Sequence, residues 1–147
     1  MHMYKLKQNF SAAAAVYDAR AKFQRVQCAR VADAALMLLP QQARIIDVGC
    51  GTGMFRQLTA QKRPAWQWLG VDIAPGMCEV ARVHGEVIEG DAVALPLRDA
   101  SADAVVSSLC LQWVTPLEKA LQEIARVLRP GGRAIIATLT SQTLCEL

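Results

Sequence analysis

The sequence predicts a doubly wound α/β domain, in which helices cover both faces of a parallel sheet of about five strands. Short, nearly continuous apolar runs alternate with helical patterns along the chain, as is typical of parallel strands buried on both faces. A turn with three glycines, Gly49 to Gly53, follows the first of these runs. Ligands of such sheets bind beyond the carboxyl ends of the strands, where this turn is expected to lie.

Residues 1–40, which precede the sheet, are expected to form an N-terminal helical cap. From Ser11 the chain is rich in alanine and contains neither glycine nor proline until Pro40, which predicts one or two helices. A buried stripe is predicted by four apolar residues at helical spacing, Val31, Ala34, Ala35 and Leu38. Residues 41–147 are expected to form the α/β core.

Apolar runs bounded by turn residues predict the five strands. They are residues 44–48, 66–73, 86–89, 102–109 and 133–139. Helices are expected at 54–62, 75–83 and 116–128. The last of these begins with a threonine cap, Thr115, followed by proline at the first helical position, and Pro130 with two glycines is expected to stop it.

Composition restricts the class of protein. The chain has 147 residues, of which 53% are hydrophobic, enough for one domain with a sizeable core. Its five cysteines are spread out, with no pair or nearby histidines typical of a zinc site, so we expect a reducing compartment and no metal. No apolar run is long enough to span a membrane and no signal peptide is recognised, so the cytoplasm is expected. The net charge of +3 comes from scattered Lys and Arg rather than a dense basic run, so it neither excludes nor suggests a nucleic-acid partner, and none is expected.

The glycine turn does not match the common phosphate-binding patterns. A dinucleotide fingerprint starting at Gly49 would place its last glycine or alanine at Met54, which disfavours a nicotinamide-dependent dehydrogenase without excluding it. A phosphate loop would need a lysine that this segment lacks. Three acids, Asp47, Asp72 and Asp91, follow or end successive strands. Together with the bare glycine backbone, they favour a cationic nucleoside with an amino-acid tail.

Four segments resemble the successive signatures of the class I S-adenosylmethionine-dependent methyltransferases. They are DVGCGTG (47–53), GVDIAPGM (70–77), GDA (90–92) with Leu95-Pro96, and RVLRPGG (126–132). The resemblance covers residues 44–139, in the family's order and spacing. It implies S-adenosyl-L-methionine as the cofactor and a Rossmann-like methyltransferase fold.

The resemblance also implies roles for individual residues. The turn with Asp47, Gly49, Gly51 and Gly53 would lie along the methionine part of the cofactor, and Asp72 would hold the ribose. Asp91 and Ala92 would reach the adenine amino group, and Ile73 and Met77 would flank the adenine ring. The expected cofactor-binding set is completed by Cys50, inside the turn, and Leu109, at the end of the fourth strand.

A finer resemblance is to the malonyl-acyl-carrier-protein methyltransferases of biotin biosynthesis. It rests on FSAAAAVYD (10–18), on Leu111-Gln112-Trp113, and on Thr138-Leu139 with TLCEL (143–147). It implies that Tyr17 positions the donor or acceptor, that Gln112 and Trp113 line the acceptor channel, and that malonyl-acyl-carrier protein is the partner. Methyltransferases of other small acids, such as the trans-aconitate enzymes, share the Gln-Trp pair and stay an alternative.

The resemblance further implies that this chain is shorter than its relatives. Enzymes of this class usually have seven strands, and the last two are expected to be missing here. Strand 133–139 would then be an exposed edge, through which we expect a homodimer. A truncated domain that binds cofactor weakly and catalyses nothing is the alternative of a different class.

Overall fold

The computed structural model of the protein describes residues 2–140 and has a five-stranded, all-parallel sheet. The strands are β1 (Arg44–Val48), β2 (Gln67–Asp72), β3 (Glu86–Glu89), β4 (Ala102–Ser108) and β5 (Leu128–Ala137). They lie in the order β3-β2-β1-β4-β5, so the direction of winding reverses between β1 and β4. The predicted doubly wound α/β fold is confirmed. The TLCEL segment of the finer resemblance lies outside the described residues.

Helices precede the sheet and connect its strands. Within the described residues they are α1 (His2–Ala13), α2 (Tyr17–Arg20), α3 (Lys22–Leu38), α4 (Met54–Thr59), α5 (Pro75–Ala81) and α6 (Leu117–Val127), with short 3-10 turns at Ala14–Val16, Arg82–His84 and Leu111–Trp113. No helix in this part of the chain is long and apolar enough to cross a membrane.

The two faces of the sheet carry separate hydrophobic clusters because side chains alternate along each strand. On β1, Ile45 packs with residues of α3 and α4, whereas Ile46 and Val48 pack with residues of α6 on the other face. The central strands β1 and β4 are buried on both faces, which explains their nearly continuous apolar sequences.

Helix α3 packs on the sheet, whereas α1 packs against α5. The predicted boundary at residue 40 therefore separates α3 from the core to which it contributes. The predicted stripe is also off by one residue at its end. Leu39 is buried and Leu38 is 47% exposed, because the chain leaves the helical path after Leu38 and turns Leu39 inward.

Helix α6 differs from its prediction at both ends. It begins at Leu117, after Pro116 in an extended conformation, and no side chain caps it, so the predicted threonine cap is wrong. It ends at Val127, and Leu128 already pairs with Ala102 in the sheet. Strand β5 therefore starts before the predicted residue 133, and the Pro-Gly-Gly segment forms an irregularity within it.

This irregularity is stabilised by one carboxylate. The register shifts between Ala102 and Ala104, so that residues 129–132 lie opposite Asp103. The Asp103 carboxylate accepts a hydrogen bond from the backbone N–H of Arg44 at 2.7 Å and pairs with Arg129 at 2.7 Å. One acid thus joins the starts of β1 and β5 to β4.

Arg126 of α6 holds the long loop between β3 and β4. Its guanidinium donates to the carbonyl oxygens of Leu95 and Leu97 and pairs with Asp99 and Glu123. Glu123 in turn accepts from the backbone N–H of Leu95 at 2.7 Å. This forked donor explains the arginine in the RVLRPGG segment, because it fixes the loop that begins at the end of β3.

Strand β5 forms one edge of the described sheet. Arg133, Ala134 and Ile136 are exposed on it, and Ile136 retains 36% of its accessible surface. The side of β5 away from β4 pairs with no other strand among residues 2–140.

Candidate functional site

A cavity of about 300 Å³ opens at the carboxyl edge of the sheet. It lies at the crevice where the strand order reverses, which is the usual ligand position in open α/β sheets. Eleven of the predicted site residues line it: Tyr17, Gly49, Gly51, Asp72, Ile73, Met77, Asp91, Ala92, Leu109, Gln112 and Trp113.

Three predicted site residues lie elsewhere. Asp47 and Cys50 line a smaller neighbouring cavity of about 60 Å³, which shares Gly49 and Gly51 with the larger one. Gly53 lines neither cavity. It adopts φ +84° at the start of α4, and its N–H donates to the Cys50 carbonyl, so its part is to form the turn.

The glycine turn folds back onto the end of β2. The N–H groups of Gly49 and Cys50 donate to the Val71 carbonyl at 2.8 and 3.1 Å, and that of Gly51 donates to Asp72 Oδ2 at 2.9 Å. Gly49 and Gly51 have φ values of +72° and +54°. Since side-chain-bearing residues adopt such angles at a cost, the turn requires glycine at these positions.

Gly49 meets a second constraint from the segment that follows β4. A Cβ atom built there would lie 2.3 Å from the Cys110 Sγ, whereas one at Gly51 would meet nothing within 4 Å. Leu109, the residue before Cys110, itself has φ +54° and lines the cavity. The two chain segments therefore approach each other through bare backbone at the bottom of the crevice.

Asp72 links the two turns that frame the cavity. Its Oδ1 accepts from the Ala74 N–H at the start of α5, at 2.9 Å, while its Oδ2 accepts from Gly51. Burial raises the pKa of Asp72, although these hydrogen bonds from the backbone oppose the shift. The carboxylate thus faces the cavity in a fixed orientation.

Asp47 is 4% exposed and lies behind the glycine turn. Its Oδ2 accepts from the Trp68 indole N–H at 3.2 Å. Burial raises the pKa of Asp47 to about 7, the Trp68 hydrogen bond opposes the shift, and the nearby Asp72 charge adds to it. A nearby cation would favour its ionised form.

Asp91 and Ala92 lie after β3 on the far side of the cavity from the glycine turn. Asp91 Oδ1 accepts from the Val93 N–H at 3.0 Å, which turns the chain sharply at this point. Ala92 is buried, and its small side chain leaves space beside Ile73 and Met77 in the lining.

Aromatic rings from the helices before the sheet and from the segment after β4 cover the cavity. Phe10 contacts both Tyr17 and Trp113 edge to face, with ring centroids 6.4 Å apart in each pair. Trp113 is 43% exposed at the outer end of this group. The three rings form an apolar wall over the cavity, and burial raises the pKa of Tyr17 so that its phenol stays protonated.

Polar contacts fasten this cover to the sheet. Thr52, in the glycine turn, donates to Asp18 Oδ1 at 2.6 Å, and the Gly76 N–H donates to Ser11 Oγ at 3.2 Å. Lys7 pairs with Glu89. Phe10 and Asp18 are not among the site residues predicted from the sequence, although both lie in the FSAAAAVYD segment that carries the finer resemblance.

The cysteines near the site are protonated. Burial raises the pKa of Cys110 and of Cys28 to about 12 in each case, and it also raises that of Cys50. A thiolate nucleophile is therefore not favoured at any of them. Within the described part of the chain, no three His, Cys, Asp or Glu side chains are grouped so that they could hold a metal ion.

Comparison with known proteins agrees with this architecture. A family model described as a methyltransferase domain matches residues 46–136. The chain is 40% identical over 145 residues to a malonyl-[acyl-carrier protein] O-methyltransferase of Methylococcus capsulatus, covering 95% of this chain and 53% of that relative. It therefore spans about half the length of the curated relatives it matches.

Two solved structures share the fold. A SAM-dependent methyltransferase from Thermotoga maritima matches with a TM-score of 0.69 and 31% identity, over 86% of this chain and 58% of that one. A protein of Pyrococcus horikoshii matches with a TM-score of 0.73 and 25% identity, over 85% of this chain and 62% of that one.

Replacing Gly49 by alanine is expected to cost more than the same change at Gly51. Both variants are destabilised by the positive φ, by about 1 kcal/mol, but Gly49→Ala also forces a contact with Cys110, so we expect a total loss of about 3 kcal/mol. Urea denaturation of the two variants measures the difference. Equal losses would show that the approach of Cys110 imposes no constraint.

Replacing Asp47 by asparagine is expected to stabilise the cofactor-free protein relative to the wild type, by an amount that increases as the pH rises. In the wild type the folded-state pKa is about 7 against 3.8 for the free side chain, so ionisation in the unfolded state lowers stability progressively between these values. The asparagine side chain does not titrate, and its carbonyl can still accept from Trp68.

The gain in the free energy of unfolding should therefore be small at pH 4 and reach a few kcal/mol, at a plateau, above pH 7. Urea denaturation across this range measures it, with the exposed Asp33→Asn as the matched control. If the gain in the free energy of unfolding did not change with pH, Asp47 would not have the raised pKa of a buried carboxyl group.

Proposed function

Because the chain belongs to the S-adenosylmethionine-dependent methyltransferases, we propose that it methylates the free carboxylate of malonyl-acyl-carrier protein, in the cytoplasm, as a step of biotin biosynthesis. The observation that carries this proposal is the 40% identity, over 95% of the chain, to a relative named for that reaction. A second relative, 41% identical, is named as a bifunctional protein of biotin biosynthesis.

The residues of the larger cavity fit the cofactor. Gly49 and Gly51 present bare backbone to the cavity, and a Cβ atom at Gly51 would meet no protein atom within 4 Å, so we assign the space along this turn to the methionine part. The fixed carboxylate of Asp72 would accept hydrogen bonds from the ribose hydroxyls. Asp91 and Ala92 would accept from the adenine amino group. Ile73 and Met77 would pack on the adenine ring, with Leu109 on the wall formed by the end of β4.

The residues outside the larger cavity take indirect roles. Asp47 would act on the cofactor's positive charge through the turn, since its oxygen is hydrogen bonded to Trp68 and faces the smaller cavity. Cys50, whose small thiol side chain is protonated, would pack beside the turn. We do not assign a ligand contact to Gly53, because its N–H is used within the turn itself.

The chemistry asked of the protein is mainly alignment. When bound, S-adenosylmethionine supplies a methyl group on a positively charged sulfur. A malonyl carboxylate is ionised at neutral pH and is already a nucleophile, so no general base is required. Holding the reacting groups in line can contribute about 7 to 11 kcal/mol when fully realised.

The cover over the cavity would provide this alignment. Tyr17 and Phe10 form an apolar wall that excludes water, and the protonated Tyr17 hydroxyl can donate to a bound oxygen. Gln112 and Trp113 lie on the outer part of the lining, where the acceptor would enter. Thr138 donates to Gln112 Oε1 at 3.3 Å, which leaves the Gln112 amide N–H free to turn toward a carboxylate.

A second candidate is a domain that binds cofactor but does not transfer methyl groups by itself. The observation that favours it is the span of about half of the relatives' length. A homodimer through the exposed edge of β5 stays a prediction, which sedimentation at micromolar concentration would test. A methyltransferase of another small acid is the third candidate, because most of the assigned site residues would contact the donor and only Gln112 and Trp113 would contact the acceptor.

Replacing Asp72 by asparagine is expected to weaken the binding of S-adenosylhomocysteine by about tenfold or more, since a buried acceptor of ribose hydroxyls is lost. Calorimetric titration measures this, and Asp33→Asn is the matched control on the exposed side of α3. Circular dichroism verifies that both variants are folded. Unchanged affinity in a folded Asp72→Asn protein would contradict the assigned site.

A methyl-transfer assay then decides between the candidates. We expect transfer to malonyl-acyl-carrier protein and none to trans-aconitate. The same assay on a chain extended at its C-terminus to the relatives' length shows whether further residues are required. Tight binding of S-adenosylhomocysteine with no transfer by the extended chain would overturn the proposed acceptor.

A further inference from the structure

The junction of α2 and α3 presents a positively charged surface that the proposed chemistry does not use. Residues 19–32 contain four basic residues and no acidic one. All four are exposed, and we call the three nearest the junction, Arg20, Lys22 and Arg25, the basic face. Lys22 and Arg25 lie three residues apart on α3 and so share one side of the helix.

The basic face lies at the rim of the cavity. Phe23 and Gln24, which lie between Lys22 and Arg25 in the chain, both line the larger cavity. Phe23 is nevertheless 47% exposed, and Val26 on the next turn is 52% exposed. One short segment therefore connects the interior of the site to a surface that combines positive charge with exposed apolar side chains.

No acidic side chain among the described residues forms a salt bridge with this face. The salt bridges seen among residues 2–140 involve Lys7, Arg126 and Arg129, and none includes the basic face. Asp18, the acid before it in the chain, accepts the Thr52 hydroxyl. Asp33, the next acid on α3, lies eight residues beyond Arg25, about two helical turns away.

We infer that the basic face docks an acidic surface of the carrier protein that brings the acceptor, with the carried acyl group passing Phe23 to reach Gln112 and Trp113 in the same cavity. The inference rests on the proposed function and adds the docking surface to it. Charge complementarity favours an acidic protein partner, because opposite charges steer encounter and fix orientation. The exposed Phe23 and Val26 supply apolar contact that a nucleic-acid backbone would not use.

The test measures the binding of fluorescently labelled malonyl-acyl-carrier protein by fluorescence anisotropy, in the presence of S-adenosylhomocysteine. The test variant is Lys22→Glu/Arg25→Glu. The control is Lys62→Glu/Arg82→Glu, which makes the same change in net charge. Lys62 and Arg82 follow the C-terminal ends of α4 and α5, they are exposed, and neither lines one of the two cavities.

We expect the test variant to bind the carrier protein at least about tenfold more weakly at low salt, with the difference shrinking as salt screens the charges. The control should stay within about twofold of the wild type, and both variants should bind S-adenosylhomocysteine as the wild type does. Equal weakening in both double variants, or none in either, overturns the docking surface. Tighter wild-type binding to a single-stranded oligonucleotide than to the carrier protein also overturns it.

A small malonyl thioester without the carrier protein separates this inference from the proposed function. Transfer to the thioester that is equal in the wild type and the test variant, together with selective loss of carrier binding, supports both. If the wild type methylates malonyl-acyl-carrier protein and the test variant does so equally well, the docking surface is wrong and the function stands. Failure of the wild type on both acceptors rejects the function.

Discussion

The site depends on the way the glycine turn is held against the end of β2. The Val71 carbonyl accepts two backbone N–H groups of the turn, and the Asp72 carboxylate accepts a third while also accepting from the start of α5. These bonds form only if the turn adopts positive φ values, which its glycines allow. The turn, the Asp72 side chain and the α5 terminus are therefore placed together.

The opposite wall of the cavity is built from a different part of the chain. Its rings come from α1, α2 and the segment after β4, and they meet through edge-to-face contacts of Phe10 with Tyr17 and Trp113. The Asp18–Thr52 hydrogen bond joins this wall directly to the glycine turn. The cover and the glycine turn are therefore held together by a direct hydrogen bond between side chains.

The buried acids of the site lower the stability of the cofactor-free protein when they are ionised. Asp47 and Asp72 both have raised pKa values because burial penalises their ionised forms. No cation of the described salt bridges neutralises either acid. Such unneutralised buried acids are typical of a site prepared for a positively charged ligand, where the destabilisation of the empty state is offset on binding.

The sequence by itself determined the parallel sheet and the order of its elements, because the alternation of apolar strands with helical patterns and the glycine turn are local signals. The resemblance of its motifs to a known family supplied most of the residues around the crevice. Tertiary structure decided what local signals do not contain. The end of α3 at Leu38, the early start of β5 and the burial of Leu39 depend on packing and pairing with distant strands. The same holds for Phe10 against Trp113, Cys110 against Gly49 and Asp18 against Thr52, since each pair lies far apart in the chain and meets only when the sheet closes.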